Sequence, residues 1–322
     1  MTRTGILLAN TGTPDAPTPA AVRRYLAEFL SDPRIIETSR WLWWPVLHGV
    51  ILRVRPRRSA ALYARTWQEQ GSPLRYHTVN LARALEDRLI AEGHEVLVRP
   101  AMRYGSGSIS DALHELRHEG CGPIVVLPLF PQSCGATTAS IADAVNAATM
   151  ALRNPPTITF ISDYHDHEAH LAALVGRIRS SWERRGRPEH LILSFHGIPQ
   201  SYADAGDTYR DRCANTAALI AAGLDLTPQE WTLSFQSRFG PAQWLTPYTV
   251  DVLARLAPRG LSRVDVVCPG FAVDCLETVD EIGREAARHY KEHGGGDFYY
   301  IPALNASAEH AAALAEVLRP YL

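Results

Sequence analysis

Short runs of consecutive apolar, largely β-branched residues alternate with longer amphipathic stretches along almost the whole chain. Eight runs read as strands: residues 5–9, 95–99, 124–129 and 157–161, then 191–195, 231–235, 263–267 and 297–301. Most are apolar without a polar alternation, the pattern of strands covered on both faces. Strands of that kind, separated by helix-length segments, predict parallel sheets flanked by helices. The helices carry their own signals. Thr18 precedes Pro19 and caps AAVRRYLAEFLS; Ser110 and Asp111 open DALHELRHEG, which ends on Gly120. A further helix is expected from just after Asp274 to Tyr290, stopping near the glycines at 294–296.

The chain has 322 residues, comfortable for two domains of ordinary size. Two sheets of four strands are expected, with lobes over 1–160 and 161–305, although no internal repeat stands out in the sequence. In sheets of this class ligands bind beyond the carboxyl ends of the strands. Those ends read Asn10-Thr11-Gly12, Met102-Arg103-Tyr104-Gly105, Pro131-Gln132-Ser133 and Ser194-Phe195-His196-Gly197. Later come Gln236-Ser237-Arg238-Phe239-Gly240, and Pro269-Gly270-Phe271 leading to Asp274-Cys275-Leu276-Glu277.

Composition narrows the partners. A formal net charge of -2 offers no basic surplus to neutralise a nucleic-acid backbone, so no nucleic-acid partner is expected. Five cysteines, an odd number without a CxxC, argue against a disulfide framework or a structural zinc site and fit a reducing cytosol. The first apolar run is too short for a signal peptide. The most apolar stretch, WLWWPVLHGVIL at 41–52, is too short for a span of about 20 residues and is broken by Pro45 and Gly49. A cytoplasmic protein is expected.

His196 sits where a buried strand breaks into a loop, and an imidazole there can take protons near neutrality or bind a metal; a structural histidine is the alternative from position alone. Glu277, Glu281 and Glu285 recur every fourth residue on one helical face, beginning at a ligand-binding strand end. Such a row is commonly a solvated surface, yet imidazole and carboxylate together suit ferrous iron. Gly105-Ser106-Gly107 lacks the rest of a nucleotide fingerprint, and Ser194 has no nucleophile elbow around it. His165, His167 and His170 read as a solvated helix start, with metal binding the alternative. Trp41, Trp43, Trp44, Leu47 and Ile51 precede Arg53, Arg55, Arg57 and Arg58, the composition of a greasy binding lip or an interfacial helix.

At these motifs the chain resembles ferrochelatases, nearly end to end. The resemblance is carried by LLANTGTPDAPTPAAVRRYLAEFLSDPRIIE, QEQGSPL, MRYG, LPLFPQ, SFHGIP, SFQSRFGPAQWLTP and PGFAVDCLET, in the family's order. It implies two Rossmann-like lobes with a porphyrin in the cleft between them, and a C-terminal helix over 306–320 packing back on the first lobe. It implies that Fe2+ is inserted into protoporphyrin IX with loss of two protons, the last step of haem biosynthesis. His196 matches the family's active-site histidine and Glu277 its facing glutamate, both as catalytic residues and metal ligands. Asn10, Thr11, Arg103, Tyr104 and Trp244 match porphyrin-pocket residues. Glu281 and Glu285 match an acidic row proposed to conduct metal or protons, and residues 35–55 the hydrophobic lip, with peripheral membrane contact a further possibility for it. There are departures. Cys134 lies one residue from the position of an iron–sulfur ligand, and the chain lacks the cysteine-bearing extension of cluster-containing members, so no cluster and no cofactor beyond the substrate iron is expected. Cys275 stands where animal enzymes place a second histidine.

Overall fold

The computed structural model describes residues 3–322. All eight expected strands form, in two four-stranded, wholly parallel sheets. Contacts divide the described chain into one unit of residues 3–130, 134–162 and 318–322, and a second of residues 131–133 and 163–317.

The first unit contains β1 (Thr4–Gly12), α1 (Pro19–Phe29), α2 (Arg40–Val46), α3 (Leu52–Thr66), α4 (Pro73–Ala91), β2 (Val96–Tyr104), α5 (Ile109–His118), β3 (Ile124–Pro128), α6 (Ser140–Met150) and β4 (Ile158–Phe160). Its strand order is β2-β1-β3-β4. Ile6, Leu7, Leu8 and Ala9 of the central β1 are fully buried, as helices on both faces require. β2 runs five residues past the expected end. Pro100 is tolerated inside it because β2 is an edge strand with an unpaired side. Thr18 caps α1 as expected, its hydroxyl accepting from the Ala21 amide. α5 begins earlier than the sequence suggested, because Ser108, not Ser110, accepts the Asp111 amide and caps it.

The second unit contains α7 (Glu168–Arg185), β5 (His190–His196), α8 (Gln200–Asp204), α9 (Tyr209–Gly223), β6 (Trp231–Gln236), α10 (Thr249–Leu256), β7 (Arg263–Val267), α11 (Ala287–Glu292), β8 (Asp297–Ile301) and α12 (Ala308–Leu318). Its order, β6-β5-β7-β8, repeats the topology of the first unit despite the absence of a visible sequence repeat. α12 groups by its contacts with this unit as far as Val317. Local ties account for that. His310 hydrogen-bonds through Nδ1 to the Asn305 carbonyl, and Arg177 of α7 donates to the Leu304 carbonyl just before the helix. In both sheets the chain reverses direction of travel between the first and third strands. In the second unit that switch point lies between β5 and β7, where ligand-binding loops are expected.

Candidate active site

β5 ends on His196, paired in register with Gln236 at the end of β6. The imidazole is half-buried, flanked by Trp244 and Phe271 with ring centroids 6.3 Å away in each case. Its Nδ1 lies 2.6 Å from the Gly197 carbonyl. A carbonyl only accepts, so Nδ1 carries a proton, and in the neutral imidazole Nε2 is the atom with the lone pair. Tyr209 donates to the His196 carbonyl at 2.9 Å and fixes the backbone from behind. Gly197 sits tightly: a Cβ there would stand 3.1 Å from the Gln236 carbonyl and 3.2 Å from the Trp244 ring, so those neighbours would have to give by a few tenths of an ångström.

The segment after β7 folds back toward this strand end. Asp274 is buried and accepts from Thr278 Oγ1 (2.9 Å), Tyr300 Oη (2.6 Å) and Asn305 Nδ2 (2.7 Å), while its own amide donates to Asn305 Oδ1 at 2.8 Å. It anchors the start of a wide-wound π-helix, Glu277–Ala286, where an ordinary α-helix was expected. π-helical turns are rare and cluster at functional sites. Glu277, Glu281 and Glu285 recur every fourth residue along this helix. Burial falls along the file: Glu277 and Glu281 are half-buried, Glu285 exposed.

Two residues at the end of β6 reach this helix. Gln236 donates through Nε2 to the Glu277 carbonyl at 3.1 Å, its Oε1 accepting from Ser194 and Cys268. Ser237 donates its amide (2.7 Å) and hydroxyl (2.6 Å) to the two oxygens of Glu281. Burial pushes the Glu281 carboxyl up, the Ser237 hydroxyl and nearby His196 pull it down, and the charge of Glu277 raises it again. The sequence placed Gln236, Ser237 and Asp274 at strand ends but gave them no role; nothing in a polar side chain's identity says which partner it will meet.

In the first unit the expected porphyrin contacts divide. Tyr104 is 2% exposed and donates to Asp32 Oδ2 at 2.7 Å; Arg103 Nη2 donates to the same oxygen at 2.6 Å, and Ser140 Oγ also at 2.6 Å. Burial opposes the charge on Asp32, but the bonds from Ser140 and Tyr104 outweigh it and hold the carboxyl below its ordinary value. Asn10 is buried as well, bonded to Thr78 Oγ1 and to the Thr11 amide. Tyr104 and Asn10 are therefore turned inward, whereas Thr11 and Arg103 retain partial exposure.

The lip divides too. Trp41 is 91% and Trp44 50% exposed, joined by Leu42, Val46, Val50 and Val54. Leu47 is the exception to the expectation: it is fully buried in a cluster with Val22, Leu26 and Leu52, because the π-helical turn Leu47–Ile51 after Pro45 rotates it inward. Ile51 packs partly on that cluster, and Trp43 bonds through its indole to the Leu30 carbonyl. The histidine cluster separates as well. His165 pairs with Asp163 and lies 3.1 Å from Asn215, while His170 is buried with neither ring nitrogen hydrogen-bonded among the described residues. Asp163, His165 and Asp166 have the spacing of a metal site, but Arg212 already neutralises Asp163 at 2.7 Å.

The family model described as Ferrochelatase matches residues 3–322. The chain is 52% identical to the ferrochelatase of Methylococcus capsulatus, covering 99% of this chain and 97% of that one. It is 50% identical to the ferrochelatase of Aromatoleum aromaticum, over 98% of this chain and 87% of the relative. The chain belongs to the ferrochelatase family. Among solved structures, SirB from Bacillus subtilis with Fe3+ aligns with a TM-score of 0.58 at 13% identity, over 98% of this chain and 94% of that one. CbiX, titled the terminal enzyme of sirohaem biosynthesis in denitrifying bacteria, aligns at 0.52 and 16% identity, over 99% and 100%. At such identities these establish a shared fold. Cys275 precedes the acidic file by two residues. Burial pushes its thiol well up, and the Glu277 carboxylate it bonds to pushes it further, so it stays a protonated donor. All five cysteines are buried and none forms a disulfide.

Proposed function

We propose that this ferrochelatase inserts Fe2+ into protoporphyrin IX with His196 and Glu277 as its reacting side chains. The observation that carries the assignment is His196 itself: an imidazole at the switch point of its sheet, Nδ1–H tied to the Gly197 carbonyl, with the Nε2 lone pair left to accept a proton or hold iron. Metallation releases two pyrrole protons for each Fe2+ that enters, so the site needs an acceptor at the ring and an exit. Nε2 of His196 takes a pyrrole proton, and the carboxylate file from Glu277 through Glu281 to exposed Glu285 supplies oxygens for iron or for proton transfer outward. Trp244 and Phe271 flank the imidazole with apolar faces suited to a flat macrocycle. Binding energy from such packing can be used to bend the ring toward the metallated geometry.

Arg103 and Thr11 are the partly exposed porphyrin contacts assigned in the first unit, Asp32 holding the Arg103 guanidinium and Asn10 the Thr11 amide. Bound iron–sulfur is not part of this reading. The exposed Trp41, Leu42, Trp44, Val46, Val50 and Val54 lie beside Arg53, Arg57 and Arg58, which suits peripheral contact with anionic lipid. Among the described residues no helix is long and apolar enough to cross a membrane.

The test is turnover. Purified protein with protoporphyrin IX and Fe2+ or Zn2+ should release metalloporphyrin repeatedly, where a mere carrier would stop at one equivalent. His196→Ala should lose turnover while still binding porphyrin; turnover near the wild-type rate would make His196 structural and end this mechanism.

A further inference from the structure

Ser237 has φ +65, in the left-handed region. Two other non-glycine residues among those described share that sign, Asp225 and Asn305, and both are of types that tolerate it. Serine does not favour it, and a glycine would adopt it without strain. Strain of this kind persists where surrounding bonds over-determine the backbone, and it concentrates at functional sites. Here the turn lets one residue aim both its amide and its hydroxyl at Glu281, one to each carboxylate oxygen, at 2.7 and 2.6 Å. With both oxygens pinned, the carboxylate plane can neither rotate nor translate freely. The preceding residue, Gln236, holds the Glu277 carbonyl and is itself registered opposite His196 across β5 and β6. One sheet register thus ties the imidazole, the first carboxylate's backbone and the second carboxylate's side chain together.

We infer that Ser237 is a positioning residue for metallation, trading backbone strain for a two-point clamp that fixes Glu281 beside His196 and Glu277. The inference rests on the reading of His196 and the glutamate file given above, and it raises Glu281 from an entry-path residue to a fixed member of the site. A purely structural clamp would affect stability; a positioning clamp acts on turnover, and only through Glu281.

The experiment is a double-mutant cycle on the full chain with Ser237→Gly, Glu281→Gln and the pair, assayed with protoporphyrin IX and Zn2+. Glycine suits the native φ and keeps the backbone donor, so it removes the hydroxyl without threatening the fold; circular dichroism checks this, and Ser237→Ala serves as a second removal. Losing one charge-assisted hydrogen bond should lower kcat about tenfold, with KM for porphyrin within about twofold. In the Glu281→Gln background the same change should cost less than about twofold, because its target is gone. Full turnover in Ser237→Gly, or additive losses in the double variant, overturns the clamp. Absence of turnover in the wild-type protein is a different result: it overturns the functional reading, and the clamp falls with it.

Discussion

Replacing Asp274 by asparagine changes one oxygen into an NH2 group and removes a charge from the anchor of the π-helix. Thr278 and Tyr300 both donate to Oδ1, and Asn305 donates to Oδ2 while its own Oδ1 takes the residue 274 amide. In the variant, the amide nitrogens of the two asparagines, at 274 and 305, are forced against each other, and turning Asn305 over would break the bond from the 274 amide. The loss is a charge-assisted bond plus a buried donor left unpaired, about 2–4 kcal/mol. The exchange Asp274→Asn with Asn305→Asp reverses the pair. The new asparagine side chain at position 274 can then donate to the new carboxylate at position 305, whose other oxygen still accepts the 274 amide. Aspartate also tolerates the left-handed φ of +53 at that position. The double variant should recover to within about 1 kcal/mol. Native-state hydrogen exchange of β7, β8 and residues 277–286 reads this locally and requires no two-state unfolding of a two-unit chain. The single variant should exchange roughly thirty-fold to several-hundred-fold faster, with metallation falling in parallel; the reversed pair should restore both. A double variant no better than the single would refute the account of this anchor.

Three further outcomes are expected. Leu47→Ala should destabilise the first unit by about 2–5 kcal/mol in denaturant titration, because the side chain is core rather than lip. Trp41→Ser with Trp44→Ser should leave stability nearly unchanged, while raising KM for protoporphyrin and weakening co-sedimentation with anionic vesicles. Burial lowers the pKa of His170 to about 3 and of His310 to about 4, the bond to the Asn305 carbonyl opposing the shift at His310 and the Arg177 charge adding to it. Unfolded histidine takes its proton near 6.5, so between these values the unfolded chain binds more protons. Stability should be complete above about pH 6.5 and decline below it, by roughly 3 kcal/mol per histidine at pH 4. His170→Met should flatten that decline in thermal unfolding followed against pH, and an unchanged slope would show the histidine is not its source.

The ferrochelatase motifs, the eight strands and their parallel pairing are legible in the chain because buried strands need unbroken apolar runs, and such runs are local. His196 and Glu277 stand out as candidates for a related reason: ligand chemistry collects at strand ends, strand ends can be found from the runs that precede them, and the family resemblance supplies the roles. Beyond that reach, what decided the outcome was the company each residue keeps. Leu47 and Trp41 look alike in a hydrophobic segment, yet a π-helical turn buries one and leaves the other in solvent. Tyr104 lies at a strand end like His196, but Asp32, distant in sequence, draws its hydroxyl inward. The histidines at 165 and 170 share one short segment and end with different surroundings, one partly exposed and paired with Asp163, the other fully buried near His310 of α12. Ser237 and Asp274 have no signature at all, since a hydrogen bond depends on where its partner stands. Apolar periodicity is a property of neighbours in sequence and survives in a string of letters; pairing, tautomer and exposure are properties of neighbours in space and exist only once the chain has folded.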